Sequence, residues 1–186
     1  MTSIARLFSG TAFLLLAWVS PIALSPPVRA MDIPTKKLRE FRLHLRDIHR
    51  GESLDIVYRR GDAYLPEALT QLNHYLRDPL SGDETVIDVR LFDLLTDLSA
   101  ATGQPDGIIE VICGYRSPGT NALLRKHSSG VAEHSLHMQG MAIDIRMPGV
   151  KISLLHDAAL ALHRGGVGYY PSSNFVHVDV GQTRTW

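Results

Sequence analysis

The chain has 186 residues, and its 19 Lys and Arg balance its 19 Asp and Glu, so it offers no basic excess for nucleic acid or an anionic membrane face. A single cysteine, Cys113, excludes an intramolecular disulfide, although the N-terminus has the features of an export signal. Arg6 precedes an apolar run from Ala12 to Ile22 that is too short for a comfortable membrane span, and Pro26 and Pro27 follow it. Val28-Arg29-Ala30 then presents residues a signal peptidase reads, which predicts residues 1–30 as a secretory signal peptide cleaved after Ala30, with an uncleaved anchor as the alternative. The lone Arg favours the general secretory route over the twin-arginine route. Residues 31–186 remain, roughly 155, enough for one domain with a real core and too few for two.

Alternating segments from Phe41 to Ile48 and from Leu54 to Tyr58 flank His49-Arg50-Gly51-Glu52 and predict a hairpin turned by Gly51. Leu65, Leu69, Leu72 and Leu76 recur at helical spacing through Pro66 to Arg77, and Leu91, Leu94, Leu95 and Leu98 do so from Val89 to Ala101. Ile108 to Gly114 has the composition of a buried strand in which Cys113 acts as a small apolar side chain. Ser117 caps a helix predicted from Pro118 to about Lys126, and His127 to Gly140 is polar and aperiodic, a loop. Met141 to Arg146 predicts a strand and Leu154 to His163 a helix. Val167 to Tyr170 and Phe175 to Val180 predict an antiparallel pair around Pro171-Ser-Ser-Asn174. Helices lying before and between short, near-sequential strands give an α+β domain with a small antiparallel sheet and flanking helices.

Chemistry concentrates in Ser135-Leu-His-Met-Gln-Gly-Met-Ala-Ile-Asp144 and Phe175-Val-His-Val-Asp179. His137, Asp144 and His177 form the three-ligand set of a catalytic zinc ion that keeps a position open for water. Gly140 lets the backbone turn so that His137 and Asp144 converge, while His177 and Asp179 share one strand face because side chains alternate. The absence of thiolates in this set argues against a structural zinc knuckle or an iron–sulfur site. His44, His49, His74, His156 and His163 are read as structural, whereas His127 and His134 sit in the loop that delivers His137.

The pattern Ser135-x-His137-x-x-Gly140-x-Ala142-x-Asp144 with a later His177 resembles the signature of the zinc peptidoglycan peptidases. That group includes D-alanyl-D-alanine carboxypeptidases, vancomycin-resistance dipeptidases and the fold relatives of hedgehog domains. His49 to Ser53, Leu72-Asn-His-Tyr-Leu-Arg77, Gly114-Tyr-Arg-Ser117 and Gly165 to Asp179 further resemble its murein endopeptidase K branch, across nearly the whole mature chain. The resemblance implies a hedgehog/D-Ala-D-Ala carboxypeptidase-like fold, periplasmic hydrolysis of peptidoglycan cross-links, zinc on His137, Asp144 and His177, and a substrate-facing Arg116. Carboxypeptidase or dipeptidase action, and a non-catalytic wall-binding module, are the alternatives. Relatives commonly place an acid or His two or three residues before the last ligand, where this chain has Phe175 and Asn174. Asp179 is therefore the first candidate for a general base, with orientation of a ligand imidazole as its other role and His134 and Glu133 in reserve. Ser135 is expected to hydrogen-bond the site. The bond cut, either D-alanine to diaminopimelate or diaminopimelate to diaminopimelate, is open at this point.

Overall fold

In the computed structural model the described residues are 38–128 and 130–186. The expected signal peptide lies outside them, and no helix among them is long and apolar enough to cross a membrane. The predicted hairpin forms as β1 (Glu40–Asp47) and β2 (Ser53–Arg60), with Gly51 at φ 71° and the Asp47 carboxylate accepting from the backbone of His49 and Arg50. After the short β3 (Ala63–Tyr64) come α1 (Pro66–Tyr75) and α2 (Val89–Ala101), then β4 (Ile108–Cys113), α3 (Pro118–His127) and β5 (Ala142–Arg146). The chain closes with α4 (Ile152–Leu162), β6 (Gly166–Tyr170), β7 (Phe175–Asp179) and β8 (Arg184–Thr185).

The α+β class holds, but the sheet is larger than expected and mixed. Its eight strands run β3-β2-β1-β4-β5-β7-β6-β8, with β1–β4 and β6–β8 parallel. The helices α1 and α2 lie between the first hairpin and β4, and a crossover of that length allows β4 to return parallel to β1. The loop expected from His127 to Gly140 contains a 3₁₀ turn, Leu136–Gln139, which is too short to leave an apolar period in the sequence.

Strand alternation gives the sheet two unlike faces. Leu43, Leu45, Ile109, Val111, Ile143, Ile145, Val176 and Val178 are buried on the face against which α2 and α4 pack. Leu91, Phe92, Leu95 and Leu98 of α2 are almost wholly buried there, each contributing about 1.5–3 kcal/mol of burial. The opposite face carries Arg46, Glu110 and Arg146 side by side on β1, β4 and β5, with Glu110 accepting from both arginines. Farther along this polar face lie Asp144, His177 and Asp179.

One loop carboxylate ties the segment after α1 to the start of α3. Asp78, wholly buried, accepts from the backbone N–H of Leu80 (2.9 Å) and of Ser117 (2.8 Å), so it holds the start of α3. Burial opposes its charge, but hydrogen bonds from Thr120, Ser117 and Leu80 outweigh burial and bring its pKa from 3.8 down to about 2. A carboxyl whose folded pKa lies below its unfolded value stabilises the fold above the unfolded pKa, and that stability is lost as pH falls through the folded one. Asp78 is thus expected to contribute about 2 kcal/mol at neutral pH, lost between about pH 4 and pH 2. Urea titrations of Asp78→Asn and the parent should differ by that amount at pH 7 and converge near pH 2; parallel curves down to pH 2 would remove this role.

Candidate active site and metal centre

The cross-strand register assembles the site. Cys113 on β4 lies opposite Asp144 on β5, Asp144 lies opposite His177 on β7, and His177 lies opposite Gly168 on β6, one row across four strands. The 3₁₀ turn swings His137 over this row. Ser135 caps the turn by accepting from the His137 N–H, and Gly140 ends it at φ 67°. A Cβ on Gly140 would stand 2.5 Å from the Val86 carbonyl oxygen, so glycine is required here by space as well as by conformation.

Three donor atoms meet. His137 Nε2 is 3.2 Å from Asp144 Oδ1 and 3.1 Å from His177 Nδ1, and His177 Nδ1 is 2.9 Å from Asp144 Oδ1. All three residues are buried, so the cluster is shielded yet opens onto a cleft. Each imidazole has its other nitrogen occupied: His137 Nδ1 donates to the Gly114 carbonyl at 2.8 Å, and His177 Nε2 donates to Asp179 Oδ2 at 3.1 Å. With those bonds made, Nε2 of His137 and Nδ1 of His177 are the ring atoms that face the cluster as candidate ligands. Burial opposes charge on His137, but Asp144 and Cys113 outweigh it and hold its pKa well above the usual imidazole range. Burial alone would raise the pKa of Asp144, but His137 and His177 outweigh it and hold the carboxyl far below its usual range.

Cys113 also belongs to the neighbourhood, because one donor atom each from Cys113, His137 and Asp144 lie within 4.8 Å of one another. The sequence placed this thiol in a strand as apolar filling. A register shift between Val111 and Cys113 breaks the alternation and turns Cys113 onto the polar face, a bulge with no signal in the local sequence. The donor set, two nitrogens, a carboxylate oxygen and an adjacent sulfur, could hold a metal ion.

Arg116 lines the cleft. Its Nη2 lies 3.9 Å from Asp144 Oδ2 and donates to Cys113 Sγ at 3.4 Å, Nη1 donates to Asn121 Oδ1 at 3.3 Å, and its buried Nε has no partner. The cleft, about 340 Å³, is lined by Gly130, Ala132 and Ser135, by the aromatic Tyr170, Phe175 and Trp186, and by the donor cluster. Tyr170 stacks on Phe175 at 4.5 Å and accepts from Trp186 Nε1 at 2.8 Å, an aromatic wall that the sequence reading did not single out.

Asp179, fully buried, lies beyond the Nε2 edge of His177, away from the donor cluster, and is not part of the cleft lining. Its oxygens accept from the backbone of Gly166 and Gly181 and from Arg184. Burial opposes its charge, yet His177 and these donors hold its pKa well down. Glu133 and His134 are exposed and outside the lining, Glu133 facing Arg125 at 3.2 Å, and among the described residues the lining contains no carboxylate besides Asp144.

Residues 34–186 match the family described as peptidoglycan L,D-endopeptidase MepK. The chain belongs to this family. It is 43% identical over 162 residues to the peptidoglycan L,D-endopeptidase MepK of Escherichia coli K12, covering 87% of this chain and 86% of that protein. It is 42% identical over 144 residues to the probable peptidoglycan L,D-endopeptidase MepK of Haemophilus influenzae, 77% of each chain. The branch expected from the motifs is therefore the branch found, and the MepK family match spans every element that builds the cleft.

Proposed function

We propose that the chain is an exported zinc endopeptidase that hydrolyses peptide cross-links of peptidoglycan in the cell envelope. The observation that carries this reading is the meeting of His137 Nε2, Asp144 Oδ1 and His177 Nδ1 within 3.2 Å of one another beneath an open cleft, in a chain of the MepK family. These three residues would hold the ion. Zinc there supplies Lewis acidity toward a peptide carbonyl and lowers the pKa of water toward neutrality.

The protein's own groups then have distinct tasks. Gly114 and Asp179 fix the two imidazole tautomers, which makes Asp179 a positioning residue in this reading and not the general base. Arg116, which lines the cleft, offers its guanidinium to a stem-peptide carboxylate or to the developing oxyanion. The relatives' L,D designation supports a cut between an L- and a D-configured centre, which of the two candidate bonds is the diaminopimelate to diaminopimelate link.

Mass spectrometry of muropeptides incubated with the protein tests the reading. Cross-linked dimers are expected to disappear with zinc present, to persist with chelator, and to yield product masses of the diaminopimelate to diaminopimelate cut. Dimers untouched by zinc-loaded protein would overturn it, whether monomers are trimmed, as by a carboxypeptidase, or left whole, as by a wall-binding module.

A further inference from the structure

Beside His177 on the sheet lies Gly168, and beside Asp179 lies Gly166, both on the polar face of β6. Neither glycine has a positive φ, so conformation does not demand them. Space does. A Cβ on Gly168 would stand 2.7 Å from Trp186 Cε2, and a Cβ on Gly166 would collide with Asp179 Oδ2 and stand 2.6 Å from Arg184 Nη1. The two vacancies are filled by side chains of one segment. It is tied down by β8 pairing parallel to β6 and by the Tyr169 N–H donating to the Trp186 carbonyl at 3.0 Å.

That segment reaches the metal-ligand cluster twice. Arg184 Nη2 donates to Asp179 Oδ2 at 2.7 Å, the same oxygen that accepts from His177 Nε2. The Trp186 indole lies 5.1 Å from the His177 ring, centroid to centroid, with the Arg184 guanidinium 5.0 Å above the indole and Tyr170 taking its N–H. We propose that Arg184 and Trp186 form a latch on the metal centre, Arg184 fixing the carboxylate that orients His177 and Trp186 walling the ring into the Gly168 vacancy. The latch holds one ligand imidazole in one rotamer and one tautomer. Both are positioning residues, and the inference rests on the ligand assignment above.

A zinc-affinity titration against a chromophoric chelator, with thermal unfolding measured in parallel, tests the latch on the protein itself without substrate. Trp186→Ala, at a half-exposed position, and Arg184→Gln are each expected to weaken zinc binding about 10–100-fold, the usual cost of losing a partner behind a ligand. Trp186→Phe and Arg184→Lys should recover most of it. Gly168→Ala should weaken binding like Trp186→Ala, and the double variant should be no worse than Trp186→Ala alone, because the added methyl acts only by displacing the indole. If Arg184→Gln lowers the melting temperature sharply, the Trp186 and Gly168 variants decide. Affinities within twofold of the parent for those variants, with binding lost in His137→Ala, would overturn the latch; zinc retained in His137→Ala would overturn the ligand assignment itself.

Discussion

On the proposed zinc reading, His137→Ala is expected to abolish cross-link hydrolysis and to leave the purified protein with far less than one zinc per chain. The substitution removes Nε2 from the point where Asp144 Oδ1 and His177 Nδ1 lie 3.2 and 3.1 Å away, leaving one nitrogen and one oxygen donor beside the Cys113 sulfur. Metal affinity should fall by more than the roughly 10–100-fold that losing a partner behind a ligand costs. Hydrolysis should fall about 10³-fold or more, the equivalent of several kcal/mol of charge stabilisation supplied by a Lewis acid. His134→Ala is the control: it changes an exposed histidine three residues away, and both quantities should stay within about twofold of the parent. Elemental analysis of the purified variants and a muropeptide time course supply the two readouts. A His137→Ala protein that still turns over dimers at the parental rate would remove the residue from the centre.

Arg116→Ala is expected to keep the metal and lose the reaction. The guanidinium is 3.9 Å from Asp144 Oδ2, a contact too long to hold the ligand, so zinc content should stay near one per chain. By contrast, kcat/KM should drop about 10²–10³-fold, the range for removing a preorganised donor from a site of developing charge. Arg116→Lys should recover only part, because an ammonium cannot reproduce a planar, two-pronged donor. A KM effect alone would assign Arg116 to holding a substrate carboxylate, and a kcat effect to the oxyanion. Loss of metal together with activity would instead make it structural.

Most elements of the fold were legible because they rest on local rules. The leucine period wrote α1 and α2, the Ser117-Pro118 pair wrote the start of α3, and Gly51 wrote the first turn, which the structure places at φ 71°. Residue type and strand alternation also brought His177 and Asp179 onto one face, and Gly140 was readable as the turn beneath His137. The mixed sheet was not readable, since β4 pairs with β1 across two intervening helices and no local pattern encodes a partner that distant. Asp179 illustrates the limit within the site. Its face followed from alternation, but its direction toward Gly166, Gly181 and Arg184 depends on neighbours brought up by β6 and β8.

By itself, then, the sequence determined the donor types, the α+β class and the motifs that place this chain in its family, because each resides in contiguous residues or in a period of two or 3.6. The tertiary structure alone decided that Asp144 stands opposite His177, that a bulge turns Cys113 toward them, and that Arg184 and Trp186 close the far side. Those are matters of strand register, and a one-residue slip, invisible in composition or period, would turn every one of these side chains to the other face.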